Sequence, residues 1–259
     1  MRVLFIGDVV GQPGRRVVAA LLPTLRQELG LDVVIANGEN VAAGRGLSMR
    51  TAKELFDAGV DVLTSGNHIW DQREIIEELD GEAPILRPAN YPPGTPGKGM
   101  LRAKGLTVLN LQGRTFMESI DCPFRAADAL LESAERPVVV DMHAEATSEK
   151  QAMGWYLNGR VAAVFGSHTH VPTADARLLS EGTAYVSDAG MCGARDSVIG
   201  FEVAAVQRRF LSQLPTRLPV EEKANVLVFN SVLVDLDEAT GRARSIQRVD
   251  REHEIVHWA

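Results

Sequence analysis

Five short apolar runs punctuate the first two thirds of the chain: Arg2-Val3-Leu4-Phe5-Ile6, Asp32-Val33-Val34-Ile35-Ala36, Val60-Asp61-Val62-Leu63, Pro137-Val138-Val139-Val140 and Val161-Ala162-Ala163-Val164-Phe165. Their apolar character is continuous rather than alternating, which predicts strands buried on both faces. Helical spacing lies between them. Val17, Leu21, Leu22 and Leu25 share one face of a helix that Pro13 can start and Gly30 can stop. Ser48 predicts the N-cap of a second helix ending near Gly59. Gln72 to Leu79 reads as a third. Strand, helix, strand, helix, strand requires right-handed crossovers and a largely parallel sheet.

Prolines stiffen the loop from Pro84 to Gly99. Met100 to Ala103 and Leu106 to Leu111 predict a hairpin turning at Lys104-Gly105. Residues 112 to 124 read as irregular, and a helix is expected over 125 to 135. Ser148 and Gln151 predict a capping box for a helix reaching Leu157. Beyond Phe165 the pattern is mostly β, at Thr183 to Val186, Val226 to Leu236 and Ala243 to Val249. Repeats, linkers and low-complexity tracts are absent, so one domain over residues 1–259 is expected.

Composition narrows the class. The chain has 259 residues, 45% of them hydrophobic, enough for one large core. The formal net charge of −7 argues against a binder of nucleic-acid backbone. It leaves room for one small phosphate, because bound cations invert a local field. Two cysteines, Cys122 and Cys192, make neither a disulfide framework nor a thiolate zinc site. No stretch is long and apolar enough to span a bilayer, and the first residues lack a signal-peptide pattern. A soluble cytoplasmic protein is expected, with homo-oligomerisation left open.

Candidate chemistry gathers directly after the buried runs. Asp8, Glu39 with Asn40, Asn67 with His68, His143, and His168 with His170 all fall there. Four of the six histidines lie in these loops, while His253 and His257 lie in the C-terminal tail. The ends of parallel strands are where α/β folds build ligand sites. Each residue alone reads as a cap or a hydrogen-bonded loop residue. As a set, carboxylate, amide and imidazole donors suit iron, manganese or zinc. The donors exceed what one four-coordinate ion needs. Paired ions about 3.5–4 Å apart serve phosphate-ester hydrolysis.

The order Gly7-Asp8, Gly38-Glu39-Asn40, Gly66-Asn67-His68, His143, Gly166-Ser167-His168-Thr169-His170 resembles that of the calcineurin-like metallophosphoesterases. Two positions depart from that family: Val10 stands where a histidine is usual, and Glu39 where an aspartate is usual. Together with Arg87-Pro88-Ala89-Asn90-Tyr91-Pro92, the stretch from His143 to Lys150, and Asp188-Ala189-Gly190-Met191, they resemble the bacterial YmdB-like subfamily. That resemblance implies an α/β, four-layer α/β/β/α sandwich with the site at the C-terminal edges of the strands. It implies a hydrolase, a phosphodiesterase acting on small cyclic nucleotides, 2′,3′-cyclic and 3′,5′-cyclic, by attack of a metal-held hydroxide on phosphorus. Two ions are implied, iron foremost, with manganese or zinc compatible. By position, Asp8, Glu39, Asn40 and His170 would hold one ion. Asn67, His143 and His168 would hold the other, with Glu39 bridging. Asn40 would take the ligand position vacated at Val10, and His68 would be the general acid. A phosphomonoesterase or phosphoprotein phosphatase is the nearest alternative. A nucleotide-sensing regulator with little turnover is another.

Several further residues read two ways. Arg45, between Gly44 and Gly46, either meets a phosphate or sits in a plain turn. Asp71 reads as a helix cap before a partner of His68. Asn90 and Tyr91 either line a nucleoside pocket or fix a proline loop. Trp70 reads as core. Asp196-Ser197 is placed near the site, and Glu145, Ser148 and Glu149 read as helix-start residues.

Overall fold

The first strand alternates its side chains between two apolar environments, and this alternation sets the layering. The computed structural model describes residues 1–255. In chain order, β1 (Arg2–Ile6), β2 (Asp8–Val9), α1 (Gly11–Glu28), β3 (Val33–Asn37), α2 (Met49–Asp57), β4 (Val62–Thr64) and α3 (Ile75–Glu78) come first. Then follow β5 (Met100–Ala103), β6 (Leu106–Gln112), α4 (Pro123–Leu131), β7 (Val138–His143), α5 (Thr147–Tyr156) and β8 (Ala163–Ser167). The remainder is β9 (Arg177–Leu178), β10 (Ala184–Val186), β11 (Met191–Ala194), α6 (Val203–Ser212), β12 (Val226–Phe229), β13 (Ser231–Asp237), β14 (Arg242–Arg248) and β15 (Arg251–Glu254).

These strands form a mixed α/β fold with three sheets, ordered β14-β13-β1-β3-β4, β5-β6-β7-β8-β10-β9 and β15-β12-β11-β2. The inner strands β1, β3 and β4 are parallel, as are β6, β7, β8 and β10. Val3 and Phe5 of β1, and Val33 and Ile35 of β3, share a core with Val139 of β7 and Phe165 of β8. Phe5 stacks on Phe165 with ring centroids 4.6 Å apart, joining the two large sheets. The intervening residues Leu4, Ile6, Val34 and Ala36 face a second core with Val17, Leu22 and Leu25 of α1 and Leu55 of α2. Val140 and Met142 of β7 pack with Ala127 of α4 and Met153 of α5. Both faces of these strands are buried, which is why their sequences are apolar without alternation.

Most predicted elements form. Ser48 and Thr51 make a reciprocal capping box at α2. The β5–β6 hairpin turns at Lys104 and Gly105, both at positive φ.

Other expectations are corrected. The third helix shrinks to one turn, because Asp71 and Gln72 bond to His68 and to the Arg45 carbonyl instead of continuing a helix. Ser148 is not a cap: α5 starts at Thr147 after Ala146, with no side-chain cap. The run Val226 to Leu236 breaks at Asn230 into strands of two different sheets. The segment expected to be mostly β contains α6, which has no side-chain cap and buries only Ala205 and Val206. His253 lies on β15 opposite Leu227, away from the other histidines in sequence and sheet, and His257 lies outside the described residues. No helix among the described residues is long and apolar enough to cross a membrane.

Candidate metal centre

Sheet register decides which loop residues meet. Ile6 pairs with Ala36 and Asn37 with Thr64, so the chain leaves β1, β3 and β4 at one edge with Asp8, Glu39 and Asn67 just beyond it. His143 pairs with Ser167, which brings the ends of β7 and β8 to the same place. All seven proposed ligands converge there.

His143 Nε2 is 3.0 Å from Glu39 Oε1, 3.2 Å from Asn67 Oδ1 and 3.0 Å from His168 Nδ1. Donor atoms of Glu39, His143 and His168 lie within 4.8 Å of one another, a group able to hold a metal ion. Asn40 Nδ2 is 3.3 Å from Glu39 Oε1 and 3.1 Å from His170 Nε2. Asp8 is fully buried, its Oδ2 accepts from the His168 backbone N–H at 3.0 Å, and its Oδ1 has no hydrogen-bond partner. That orphan oxygen lies 3.9 Å from both His143 Nδ1 and His170 Nε2. A buried carboxylate oxygen without a partner is costly unless a cation meets it. Val10 is buried with Met191 and Val220, so it offers no donor.

Burial and opposite charges shift the titration of these groups. Burial lifts the Asp8 carboxyl to about 6, against the pull of His170 and His143. Burial also acts to raise Glu39, but the charge and hydrogen bond of His143, with His68 and His168, bring it down to about 2. Burial opposes charge on His143, yet Glu39, Asp8 and Asp141 hold it up at about 9. His168 falls to about 3 through burial and repulsion from His143. The carboxylates thus gather positive charge, and the mixed oxygen and nitrogen donors fit a borderline-hard metal ion.

A buried polar network behind the donors was not read from the sequence. Ser167 Oγ donates to Asp141 Oδ1 at 2.7 Å and can therefore accept from His143 Nδ1, 2.9 Å away. This leaves His143 Nε2 to face Glu39 and Asn67. Asn37 donates to Asp141 Oδ2 at 3.0 Å and accepts from the Glu39 N–H at 3.1 Å. Thr64 also donates to Asp141. Burial raises the Asp141 carboxyl, against the charge of His143 and these hydrogen bonds. A legible signal existed: Asn37 and Asp141 are polar residues in apolar strands, each two positions before a proposed ligand, and Asp141 shares the strand face of His143. Partners behind metal-binding imidazoles commonly change metal affinity 10–100-fold. Ser167→Ala is expected to weaken metal binding by about that factor with the fold intact. Metal titration checks it, and unchanged affinity would refute the orienting role.

His168 and His170 sit at φ 99° and 67°, the left-handed region that non-glycine residues rarely adopt. Asp188 holds this loop. Its Oδ2 accepts from the Thr169 N–H at 3.1 Å, the Thr169 hydroxyl at 2.7 Å and Lys150 Nζ at 2.7 Å. Lys150 and Asp188 are both buried. Removing one partner of a buried pair costs about 3–5 kcal/mol. Lys150→Met is expected to lower Tm by roughly 10 °C. A shift under about 2 °C by calorimetry, less than 1 kcal/mol gives at this size, would contradict it.

His170 Nδ1 lies 2.9 Å from the Ile199 carbonyl, an acceptor, so its Nε2 faces Asn40. Asp196 and Ser197 bond instead to Arg195, to the Ala194 carbonyl and to the Gly200 N–H, and it is Ile199 of the same turn that meets the site. Gly66 is required by close approach: a Cβ there would overlap the His143 ring and the Glu39 carboxylate.

His68 is aimed differently. Its backbone N–H donates to Glu39 Oε2 at 3.1 Å, while its ring Nδ1 lies 3.0 Å from Asp71 Oδ2. Asp71 thus pairs with His68, correcting the expectation of a helix cap. Glu145 is a second correction, because its Oε2 is 3.1 Å from His168 Nε2 at the rim. Asn90 spends its amide on the Gln112 and Asp121 carbonyls and the Gln112 N–H, so it fixes the proline loop. Tyr91 packs edge-on against Trp70. Arg45, His68, Glu145 and Arg209 line a cleft of about 650 Å³ over the centre. Its far wall, from α6, is absent from any motif.

The chain is 47% identical over 256 residues to a 2′,3′-cyclic-nucleotide 2′-phosphodiesterase of Bacillus subtilis strain 168, covering 96% of each chain. A hypothetical protein from Thermus thermophilus, of known crystal structure, superposes with a TM-score of 0.91 at 46% identity, covering 97% of this chain and 99% of that one. The crystal structure of a novel phosphatase from Mycoplasma pneumoniae superposes with a TM-score of 0.92 at 30% identity, covering 98% and 94%. The sequence profile of the YmdB-like proteins matches residues 4–249, and the chain belongs to that family.

Proposed function

We propose that this protein is a phosphodiesterase that hydrolyses small cyclic nucleotides, 2′,3′-cyclic and 3′,5′-cyclic, with two metal ions, iron foremost. The observation that carries the two-ion reading is the place of Glu39. Its Oε1 lies 3.3 Å from Asn40, beside Asp8 and His170, and 3.0 Å from His143, beside Asn67 and His168. One carboxylate thus stands between two donor groups. Asp8, Asn40 and His170 would hold one ion, Asn67, His143 and His168 the other, and Glu39 both. When bound, the ions lower the pKa of a water and offset charge on the phosphate oxygens.

The chain's own residues supply the rest. Water contributes its oxygen and one proton to phosphorus, one P–O(ribose) bond breaks, and the other proton goes to the ribose oxygen. His68, held through Nδ1 by Asp71, lines the cleft, and its other nitrogen would deliver that proton. The layers described above support a four-layer α/β/β/α sandwich in one domain over residues 1–259. Two free thiols, Cys122 and Cys192, suit a cytoplasmic location.

Elemental analysis of anaerobically purified protein, with rates on 2′,3′-cyclic AMP, 3′,5′-cyclic AMP and an aryl monophosphate, tests this function. Two metals per chain and preference for the cyclic diesters are expected. Preference for the monoester would favour a phosphatase. Nucleotide binding without product would favour a sensor.

A further inference from the structure

The metal centre occupies one side of the cleft, and α6 with the turn before it forms the other. Val206, Arg209 and Phe210 of α6 line it with Ile199 and Phe201. Phe210 is 72% exposed and Ile199 43% exposed, large apolar side chains left open beside a polar centre. Arg45 enters the same cleft from the loop after β3. Past α6, a second groove of about 300 Å³ is lined by Arg209, Gln213, Leu214, Pro215 and Thr216. It shares Arg209 and Gln213 with the cleft, so the two adjoin at the end of α6.

A cyclic mononucleotide has one phosphate, and the metal centre would hold it. It leaves nothing anionic for Arg45 and Arg209 and nothing to fill the second groove. We propose that the preferred substrate is the 2′,3′-cyclic phosphate end of a short RNA strand. The terminal nucleotide lies in the cleft, a base stacks on Phe210, and Arg209 meets the next phosphate where cleft and groove join. Aromatic stacking of this kind tolerates any base. The net charge of −7 opposes a long nucleic-acid track, but a contact over one or two nucleotides needs only this local pair of arginines. The chemistry is unchanged: water adds across a P–O(ribose) bond, leaving a strand that ends in a phosphate monoester and a free hydroxyl.

This inference rests on the phosphodiesterase reading, and the test separates the two. Rates would be measured on an RNA trinucleotide ending in 2′,3′-cyclic phosphate, on 2′,3′-cyclic AMP and on bis(p-nitrophenyl) phosphate. Wild-type turnover of the aryl diester tests the phosphodiesterase reading alone, and its absence overturns that reading. For the inference, kcat/KM should favour the trinucleotide over cyclic AMP by at least about tenfold, within the range of stacking one further base. Phe210→Ala should remove about 5–150-fold of trinucleotide kcat/KM, and Phe210→Tyr should restore it. Arg209→Gln should reduce the log–log salt dependence of trinucleotide KM by about 0.7. Equal wild-type rates on trinucleotide and cyclic AMP, or equal losses on both in the Phe210→Ala variant, would overturn the inference.

Discussion

Glu39→Ala is expected to empty the centre of metal and to lower kcat about 10³-fold or more. Metal ions contribute several kcal/mol of transition-state stabilisation, and each 1.36 kcal/mol is tenfold in rate. The size follows from position. Glu39 is the carboxylate that touches both donor groups, lying 3.3 Å from Asn40 and 3.0 Å from His143. Its other oxygen accepts from the His68 backbone N–H, so its loss also frees the loop that aims the proposed acid. Metal content by elemental analysis and turnover of 2′,3′-cyclic AMP check the expectation. Full metal occupancy with turnover within tenfold of wild type would remove Glu39 from the centre of the scheme. Asn40→Ala tests the same group from the other side, because Asn40 is the donor proposed to replace the histidine missing at Val10.

His68→Ala is expected to lower turnover about 10²–10⁴-fold while both metals stay bound, the range for losing a general acid. Only the backbone of His68 contacts Glu39, and its ring turns to Asp71. Alanine keeps the backbone contact and removes the ring, so metal loss and acid loss separate. Asp71→Asn should give a smaller loss, since an amide oxygen still meets Nδ1 and holds the ring in place. Equal loss of metal and activity in His68→Ala would make His68 a ligand instead.

Local pattern was enough for some of this and not for the rest. The buried strands were legible because their side chains face apolar cores on both sides, and Val-Val-Ile runs have few other uses. The seven proposed ligands stood out because each lies at or just after the end of such a strand, and parallel strands present those ends at one edge. The pairing of Asp71 with His68 was not legible. Asp before a helical stretch is a common cap, and only the loop's course over Glu39 turns its carboxylate toward the ring. Glu145 was hidden likewise, since its partner His168 is distant in sequence and held at positive φ. Asn37, Asp141 and Ser167 had a signal, polar side chains in apolar strands, but its meaning needed the register that sets them against His143.

The amino-acid sequence by itself thus determined the buried parallel strands, the helices α1, α2, α4 and α5, and the order in which the proposed ligands leave the sheets. These depend on periodicity, turn chemistry and caps, which act over a few residues. Tertiary structure alone decided which donors meet, which side of each imidazole stays free, and what faces the centre across the cleft. Those depend on inter-strand register and on contacts between residues far apart in the chain. The wall from α6 is the clearest case. Its exposed face carries Arg209 and Phe210, and only the path of the chain from β11 to β12 sets that face against the candidate metal centre.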